Sequence, residues 1–260
     1  MSATEPLSGG GLTAAERVGS TVHRATGPWT PAVHALLRHL EQVGFEAPRV
    51  IGIDEEGREV LTYVAGRAGV EPYPARVWDG AVLAQVGRLI RRYHDATVDF
   101  VPPPGASWQS LVGAPREGDV VCHNDLSPAN TIYVERGPRT FVDWDVAAPG
   151  PRQWDLAYAA YRFVPLYPED GCERLGIPIV PRGARLRILF DAYGLGGDRE
   201  LLDIVEARIL SLYETARERG EAGEPGWRDV WRDTRGRQWL ASLAFVQGHR
   251  ASWERELARA

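Results

Sequence analysis

Asp125, Asn130 and Asp143 are the side chains of this sequence whose types and spacing suggest chemistry. Asp125 and Asn130 lie between two short apolar runs, 120–122 and 131–134, and Asp143 ends a third. Because β-branched and aromatic residues favour strands, the pattern predicts strand, polar loop, strand, turn and strand. The three polar groups therefore fall at the ends of neighbouring strands, where they can converge on one point.

These groups would suit phosphoryl transfer from a nucleotide. A carboxylate such as Asp125 can orient a substrate hydroxyl and accept its proton. The amide oxygen of Asn130 and the carboxylate of Asp143 are ligands of the kind that Mg²⁺ prefers. The alternative is purely local: Asp125 would cap a turn, Asn130 would form an Asx turn and Asp143 would end a strand.

The motif HNDLSPAN at 123–130, followed by FVDWD at 141–145, resembles the catalytic and metal loops of the aminoglycoside phosphotransferase and choline kinase family. The resemblance is to that branch of the kinase-like enzymes rather than to the protein kinases. Protein kinases usually carry Arg where Asn124 stands, and they carry Phe-Gly where Trp144 and Asp145 follow the metal-binding Asp.

The resemblance implies roles for individual residues. Asp125 would be the catalytic base, and His123 would order the loop. Asn130 and Asp143 would bind Mg²⁺, with ATP as the phosphoryl donor and a hydroxyl of a small molecule as the acceptor. Asp145 is a further candidate for contact with the metal or the substrate.

The implied fold class is α+β, a two-lobed protein-kinase-like fold with a small mixed-sheet N-lobe and a mostly helical C-lobe. We expect the nucleotide-covering lobe to span residues 1–66 and the helical lobe, with its catalytic and metal loops, to span 67–260. Thr62, Tyr63 and Val64 would form the hinge that contacts the adenine. The small lobe should contain a hairpin turning at Gly19-Ser20, a helix over 31–43 with Thr30 as its N-cap, and two strands over 49–53 and 59–64.

The phosphate-holding pair of kinase-like enzymes, a strand Lys and a helix Glu, is missing. The sequence contains no lysine, so Arg24 near the end of the hairpin is the candidate replacement. The predicted helix offers no Glu, only Val33 and His34 near the partner position. We expect a local hydrogen bond for His34, although it could also contact phosphate or Arg24. Gly9 to Gly11 could form a phosphate-covering loop or a plain turn.

The larger lobe should begin with a core helix over about 75–97 and end with helices over 184–193, 198–219 and 224–257. The resemblance further implies that His94, near the end of the first helix, braces the catalytic loop and that Asp155 bonds the backbone of that loop. We expect residues 146–153 to form a tight irregular loop. The Pro-rich stretch 165–183 is predicted to be a long loop, a candidate lid. Its acidic residues would suit an aminoglycoside acceptor, but antibiotics of other kinds, choline-like alcohols and sugars remain open.

Composition excludes several other classes. The 260-residue chain has a net charge of −5, which gives no electrostatic support to nucleic-acid binding. Its two cysteines lack metal-ligand spacing, and no apolar stretch is long enough to span a membrane. The N-terminus lacks a signal-peptide pattern, so we expect a cytoplasmic protein. A catalytically weak, pseudokinase-like nucleotide-binding regulator is the alternative that the missing Lys–Glu pair favours, and the oligomeric state is open.

Overall fold

The computed structural model describes residues 4–7, 15–74 and 76–258, and it divides them between a small antiparallel sheet with one helix and a larger, mostly helical body. The α+β class predicted from the sequence is thereby confirmed. Gly9 to Gly11, the candidate phosphate-covering loop, lie outside the described residues.

The small sheet contains five strands in the order β1-β2-β3-β5-β4, and each neighbouring pair is antiparallel rather than mixed. The strands are β1 (Thr4–Leu7), β2 (Ala15–Val18), β3 (Thr21–Arg24), β4 (Val50–Ile53) and β5 (Glu59–Thr62). The predicted hairpin turn at Gly19-Ser20 joins β2 to β3. In this register Arg24 stands directly opposite Glu59.

Helix α1 (Thr30–Gln42) connects β3 to β4 and packs one apolar stripe inward. Pro31 occupies its first turn, where the missing amide proton costs no helical hydrogen bond. Trp29, not the predicted Thr30, is the N-cap residue, and the Thr30 hydroxyl instead accepts a hydrogen bond from the Gly27 amide at 2.9 Å. Gly44 follows the helix with φ of +79°, a conformation that favours glycine.

The larger body begins at β6 and contains two short sheets, β6-β8-β9 and β10-β7, both antiparallel. The strands are β6 (Arg67–Ala68), β7 (Val120–Cys122), β8 (Thr131–Val134), β9 (Gly137–Phe141) and β10 (Ala148–Gly150). The helices are α2 (Gly80–Thr97), α3 (Arg152–Phe163), α4 (Glu169–Arg174), α5 (Arg182–Tyr193), α6 (Leu201–Glu221), α7 (Trp227–Thr234) and α8 (Arg237–Leu257).

The core of this body forms where α2 and α3 meet α5, α6 and α8. Gly87 permits the close packing of α2 on α5, because a Cβ atom there would lie 2.8 Å from the Leu189 carbonyl oxygen. Tyr93 and Trp144, both fully buried, pack edge to face with ring centroids 5.1 Å apart. These contacts place the buried face of α2 directly behind the loop that follows β7.

Three predicted segments differ from the structure. The stretch 165–183, predicted as a loop, contains the short helix α4, and the predicted single helix 224–257 is broken between α7 and α8. The break falls at Arg235 and Gly236, whose φ values of +48° and +68° cannot continue a right-handed helix. Residues 146–153, predicted as an irregular loop, contain β10, which pairs with β7.

No helix within the described ranges is both long and apolar enough to cross a membrane.

Candidate active site

The loop between β7 and β8 carries Asp125, and two neighbours hold its carboxylate. The Tyr158 hydroxyl of α3 donates to Oδ1 at 2.7 Å, and Nδ2 of Asn130 donates to Oδ2 at 2.7 Å. Burial raises the pKa of Asp125 above its ordinary value, although the hydrogen bond from Tyr158 opposes the shift. Asp125 is therefore fixed in orientation and is a stronger proton acceptor than a free aspartate.

The side-chain amide group of Asn130 donates both of its hydrogen bonds to Asp125. Besides the side-chain contact, Nδ2 donates to the Asp125 carbonyl oxygen at 3.0 Å. Its backbone carbonyl accepts from the Val142 amide at 2.9 Å, which ties the loop to the strand end that carries Asp143. Oδ1 of Asn130 is consequently the atom left for a cation or another donor.

Asp155 of α3 holds the backbone of this loop. Its carboxylate accepts from the amides of His123 at 2.7 Å and Asn124 at 2.8 Å, and from Nε2 of His94 at 3.1 Å. Burial alone would raise the pKa of Asp155, but the hydrogen bond from His94 and the electrostatic effect of that residue hold it below its ordinary value. The predicted bracing roles of His94 and Asp155 are confirmed.

Asn124 adopts a φ of +63°, an uncommon conformation for a residue with a side chain, and several contacts impose it. Besides the bond to Asp155, its Nδ2 donates to the Val146 carbonyl at 3.0 Å. Its own carbonyl accepts from Nη2 of Arg208 at 2.7 Å, and Arg208 is fully buried against the Tyr158 ring. The loop conformation is thus determined by α3 and α6 together.

His123 is fully buried and does not reach the cleft. Its Nε2 donates to the Val142 carbonyl at 3.1 Å, and its Nδ1 accepts from the Asp125 amide at 3.3 Å. Its ring lies 4.6 Å from that of Trp144. Burial lowers the pKa of His123, which fits this neutral arrangement. These contacts support an ordering role and exclude direct contact with a substrate.

Asp143 and Asp145 follow β9 and point toward Arg24 from the opposite side of the cleft. Nη1 of Arg24 donates to Asp143 at 2.8 Å, and Nη2 donates to Asp145. Burial opposes the charge of Arg24, but the surrounding carboxylates raise its pKa. Burial also raises the pKa of Asp145 to about 6, against the opposing effect of Arg24.

Glu59 of β5 is the third carboxylate on Arg24, and the sequence interpretation missed it. Nε of Arg24 donates to Glu59, and Nε2 of His34 donates to the other Glu59 oxygen at 2.8 Å. The prediction that His34 bonds a partner nearby in the sequence is therefore wrong, because Glu59 lies 25 residues further along the chain. The carboxylate that kinase-like enzymes usually place on the helix comes here from the neighbouring strand, with a helix histidine behind it.

Two signals could have revealed the missed residues. Glu59 opposes Arg24 across the β3–β5 pair, so the strand register would have identified it. Tyr158 lies three residues after Asp155 and so shares its face of α3. Because Asp155 was predicted to contact the catalytic loop, Tyr158 could have been predicted to face the same loop.

The remaining predicted residues line one cleft of about 450 Å³ between the small sheet and the catalytic loop. Thr62, Tyr63 and Val64 form one wall, and Arg24, Asn130 and Asp143 lie at its polar end. The Tyr63 amide donates to the Ser20 carbonyl at 2.8 Å, whereas the Val64 amide has no acceptor in the described part of the chain. Val22, Leu61, Ile132 and Val142 supply apolar surface between them.

Within the described ranges, no group of three or more His, Cys, Asp or Glu side chains could hold a metal ion by itself. Asn130 and Asp143 nevertheless offer oxygen donors at one end of the cleft. Three carboxylates also surround the single guanidinium of Arg24, so the local charge favours a cation. The donor set suits Mg²⁺ completed by oxygens from a bound phosphate.

Comparison with known proteins gives consistent results. The model of the phosphotransferase enzyme family matches residues 106–194. The trifolitoxin immunity protein of Rhizobium leguminosarum bv. trifolii is 36% identical over 266 residues, covering 97% of this chain and 98% of that protein. This similarity extends well beyond the catalytic loop, to both lobes.

Solved structures share the fold at low sequence identity. A choline/ethanolamine kinase family protein from Mesorhizobium loti has a TM-score of 0.62 at 16% identity, with 97% of this chain and 92% of that one covered. A microcompartment-associated aminopropanol kinase has a TM-score of 0.60 at 13% identity, covering 97% and 94%. A GDP complex of aminoglycoside 2'-phosphotransferase-IIIa has a TM-score of 0.54 at 14% identity, covering 96% and 93%. The two-lobed protein-kinase-like fold is thereby confirmed.

Proposed function

We propose that this chain, which belongs to the phosphotransferase enzyme family, transfers the γ-phosphoryl group of ATP to a hydroxyl of its acceptor. Membership of that family makes the chain a small-molecule phosphotransferase. One observation carries this proposal. Asn130 bonds the carboxylate of Asp125 and also lines the cleft beside Asp143, so one residue links the candidate base to the candidate metal site. A base, an amide oxygen and a second carboxylate together suit phosphoryl transfer.

The nucleotide would occupy the cleft with its base against the hinge. A volume of about 450 Å³ is in the range of small-molecule sites. The free Val64 amide would donate to an acceptor nitrogen of adenine, and Val22, Leu61 and Ile132 would contact its faces. The triphosphate would then extend toward Arg24 at the polar end, where the guanidinium can contact phosphate oxygens.

Asn130 and Asp143 would hold Mg²⁺, which bridges phosphate oxygens and neutralises their charge when bound. Asp143 is about one-third exposed, so one of its oxygens can serve a cation while the other stays near Arg24. Asp145 is more buried and bonded by Arg24, so it would support the site rather than bind the metal.

Asp125 would orient the acceptor hydroxyl and receive its proton. Both carboxylate oxygens are already held by Tyr158 and Asn130, so the group loses little orientational freedom on binding. Catalysis in such a site is mostly positioning and charge neutralisation, because the transferred group needs little covalent assistance.

The test is ADP release from MgATP in the presence of hydroxylated metabolites and antibiotics. We expect Asp125→Asn to lower turnover by about 100-fold or more while nucleotide binding is retained. Asp99→Asn is the matched control, because Asp99 is exposed after α2 and away from the cleft. Near-normal turnover of the Asp125 variant would remove that residue from its role, and binding without any turnover in the wild type would favour the regulator.

The name of the trifolitoxin immunity protein favours a specific use of this chemistry, protection against a toxin. We infer that phosphorylation of a toxic compound is one use of the reaction. The chain should be expressed in a strain sensitive to trifolitoxin, in wild-type form and as Asp125→Asn. Protection by the wild type alone would support enzymatic inactivation, whereas equal protection by both would indicate sequestration.

A further inference from the structure

We propose that Arg162 forms an anion-binding subsite for the acceptor, so that the hydroxyl compound phosphorylated by this chain also carries a carboxylate or phosphate group. This inference rests on the function proposed above, since it names the acceptor class of the same site.

The position of Arg162 follows from α3. It lies one helical turn after Tyr158, and its Cζ is 5.9 Å from the centroid of the Tyr158 ring. The hydroxyl of that ring donates to Asp125 at 2.7 Å. The guanidinium thus lies beside the residue that orients Asp125, and its positive charge acts on that carboxylate. Arg162 is not among the residues that line the cleft proposed for the nucleotide.

Arg162 has an unusual shortage of partners for its position. Its Nε is buried without a hydrogen bond. No ion pair joins it to a carboxylate in the described part of the chain, although the charge of Asp125 acts on it. The residue as a whole is only partly buried, so a ligand can approach it. A partly buried guanidinium without acceptors is costly, and a bound anion would supply them.

The neighbours of Arg162 are aromatic. Tyr161 packs edge to face against Tyr167 with centroids 5.0 Å apart, and Tyr158 lies 6.2 Å from Tyr161. Tyr167 and Tyr73 also interact electrostatically with Arg162. The tyrosine rings around the Arg162 guanidinium would contact the carbon skeleton of an organic acid, which a hydrated inorganic ion lacks.

The charge at this position disfavours cationic acceptors. Glu169, Asp170 and Glu173, which suggested an acidic pocket for an aminoglycoside, are exposed on α4, and Asp170 is bonded by Arg174 at 2.6 Å. An amine seated beside Asp125 would instead meet Arg162. The planar fork matches a carboxylate or phosphate with two parallel hydrogen bonds.

The experiment compares acids with matched amides: N-acetyl-L-serine with its primary amide, 3-hydroxybutyrate with 3-hydroxybutyramide, and a Ser-terminated tripeptide with its C-terminal amide. Thermal shift is measured with Mg²⁺ and a non-hydrolysable ATP analogue, and ADP release is measured with ATP. We expect at least one acid to bind about tenfold or more tightly than its amide. Arg162→Gln should remove this preference, mainly through KM, and Arg162→Lys should restore part of it.

Arg174→Gln is the matched control, because Arg174 is an exposed arginine nearby that already has a partner, and it should keep the preference. Equal binding of every acid and amide by the wild type, or a preference that survives Arg162→Gln, would overturn the inference. Turnover of neutral or cationic acceptors alone would do so while leaving the phosphotransferase proposal intact. An absence of turnover with every acceptor would count against the proposed function, and the thermal shifts would still decide the role of Arg162.

Discussion

Arg24 bonds three carboxylates from two different parts of the fold, Glu59 beside it in the sheet and Asp143 and Asp145 across the cleft. A planar guanidinium with five donors can make these contacts at once, whereas an ammonium group is a compact point charge. The residue that would contact the phosphates is therefore already oriented by its acidic partners.

Arg24→Lys tests this arrangement. The lysine cannot reach all three carboxylates with the same geometry, so we expect KM for ATP to rise about tenfold and the free energy of unfolding to fall by about 2 kcal/mol. Nucleotide titrations and urea denaturation measure the two effects. Arg49→Lys is the control, since Arg49 is two-thirds exposed and should tolerate the change. A variant with unchanged KM would show that Arg24 does not contact the nucleotide.

The sequence indicated Asp125, Asn130, Asp143 and Arg24 because each belongs to a short local pattern or replaces an expected residue in it. Glu59 was missed for a physical reason. Its contact with Arg24 depends on the pairing of β3 with β5, and strand register depends on contacts between residues far apart in the chain.

Helix α3 determines the conformation of the catalytic loop through the hydrogen bonds of Asp155. We therefore expect the ionisation of Asp155 to affect the stability of the protein in acid. A carboxyl whose folded pKa is depressed stabilises the fold above its unfolded pKa, about 3.9, and this contribution is lost as the pH falls through the folded pKa. We expect the free energy of unfolding to decrease below about pH 4, and Asp155→Asn to weaken that dependence.

Asp155→Asn should also destabilise the protein by about 2 kcal/mol at neutral pH, because buried donors lose a charged acceptor. Urea titrations across a range of pH, with Asp99→Asn as the control, measure both quantities. The same acid dependence in the Asp155 variant would contradict the assignment.

The linker before α2 also contacts the catalytic loop. The Gly69 amide donates to the Pro128 carbonyl at 2.9 Å, and a Cβ atom at Gly69 would lie 2.4 Å from that oxygen. We expect Gly69→Ala to destabilise the protein by about 1–3 kcal/mol and to lower turnover, because the loop or the linker must move.

Gly248→Ala is a control that should change the stability of the protein in the opposite direction. Gly248 lies within α8, and a Cβ atom added there would have no neighbouring atom within 4 Å in the described part of the chain, so alanine should stabilise the helix by up to about 1 kcal/mol. Thermal or urea denaturation compares the two variants, and equal effects would contradict the proposed contact.

The longer amphipathic elements could be predicted because their apolar spacing is regular, as in α1 and α2. Helix α4 could not, because it is a six-residue segment inside a stretch that is rich in Pro and Gly. Strand β10 could not, because Pro and Gly make up two of its three residues and its order comes from pairing with β7. The break at Gly236 escaped prediction because apolar residues continue on both sides of it.

At the scale of the whole molecule, the two lobes share one apolar core, and a few polar contacts also join them around the cleft. Arg24 reaches Asp143 and Asp145, and Arg139 of β9 contacts both Glu46 and the Ala65 carbonyl. A ligand bound in the cleft would touch both lobes, and it should therefore stabilise the folded chain.

We expect MgATP to stabilise the protein by about 2–3 kcal/mol at about a hundredfold excess over its Kd. EDTA should remove most of this effect, and Asp143→Asn should make the stabilisation nearly insensitive to Mg²⁺. Thermal denaturation with and without the metal measures it, and Asp99→Asn should behave as the wild type. Equal stabilisation by ATP in EDTA would argue against a metal at Asp143.

The replacement of lysine by Arg24 has a practical consequence for detecting this protein. Nucleotide-derived acyl phosphates, which are used to survey kinases in cell extracts, mark their targets by acylating an amine beside the bound phosphates. A guanidinium is a poor nucleophile because it stays protonated, and the sequence holds no lysine to accept the label elsewhere. An active enzyme of this kind would therefore go uncounted in such a survey, and a nucleotide probe that reacts by photochemistry would be needed to find it.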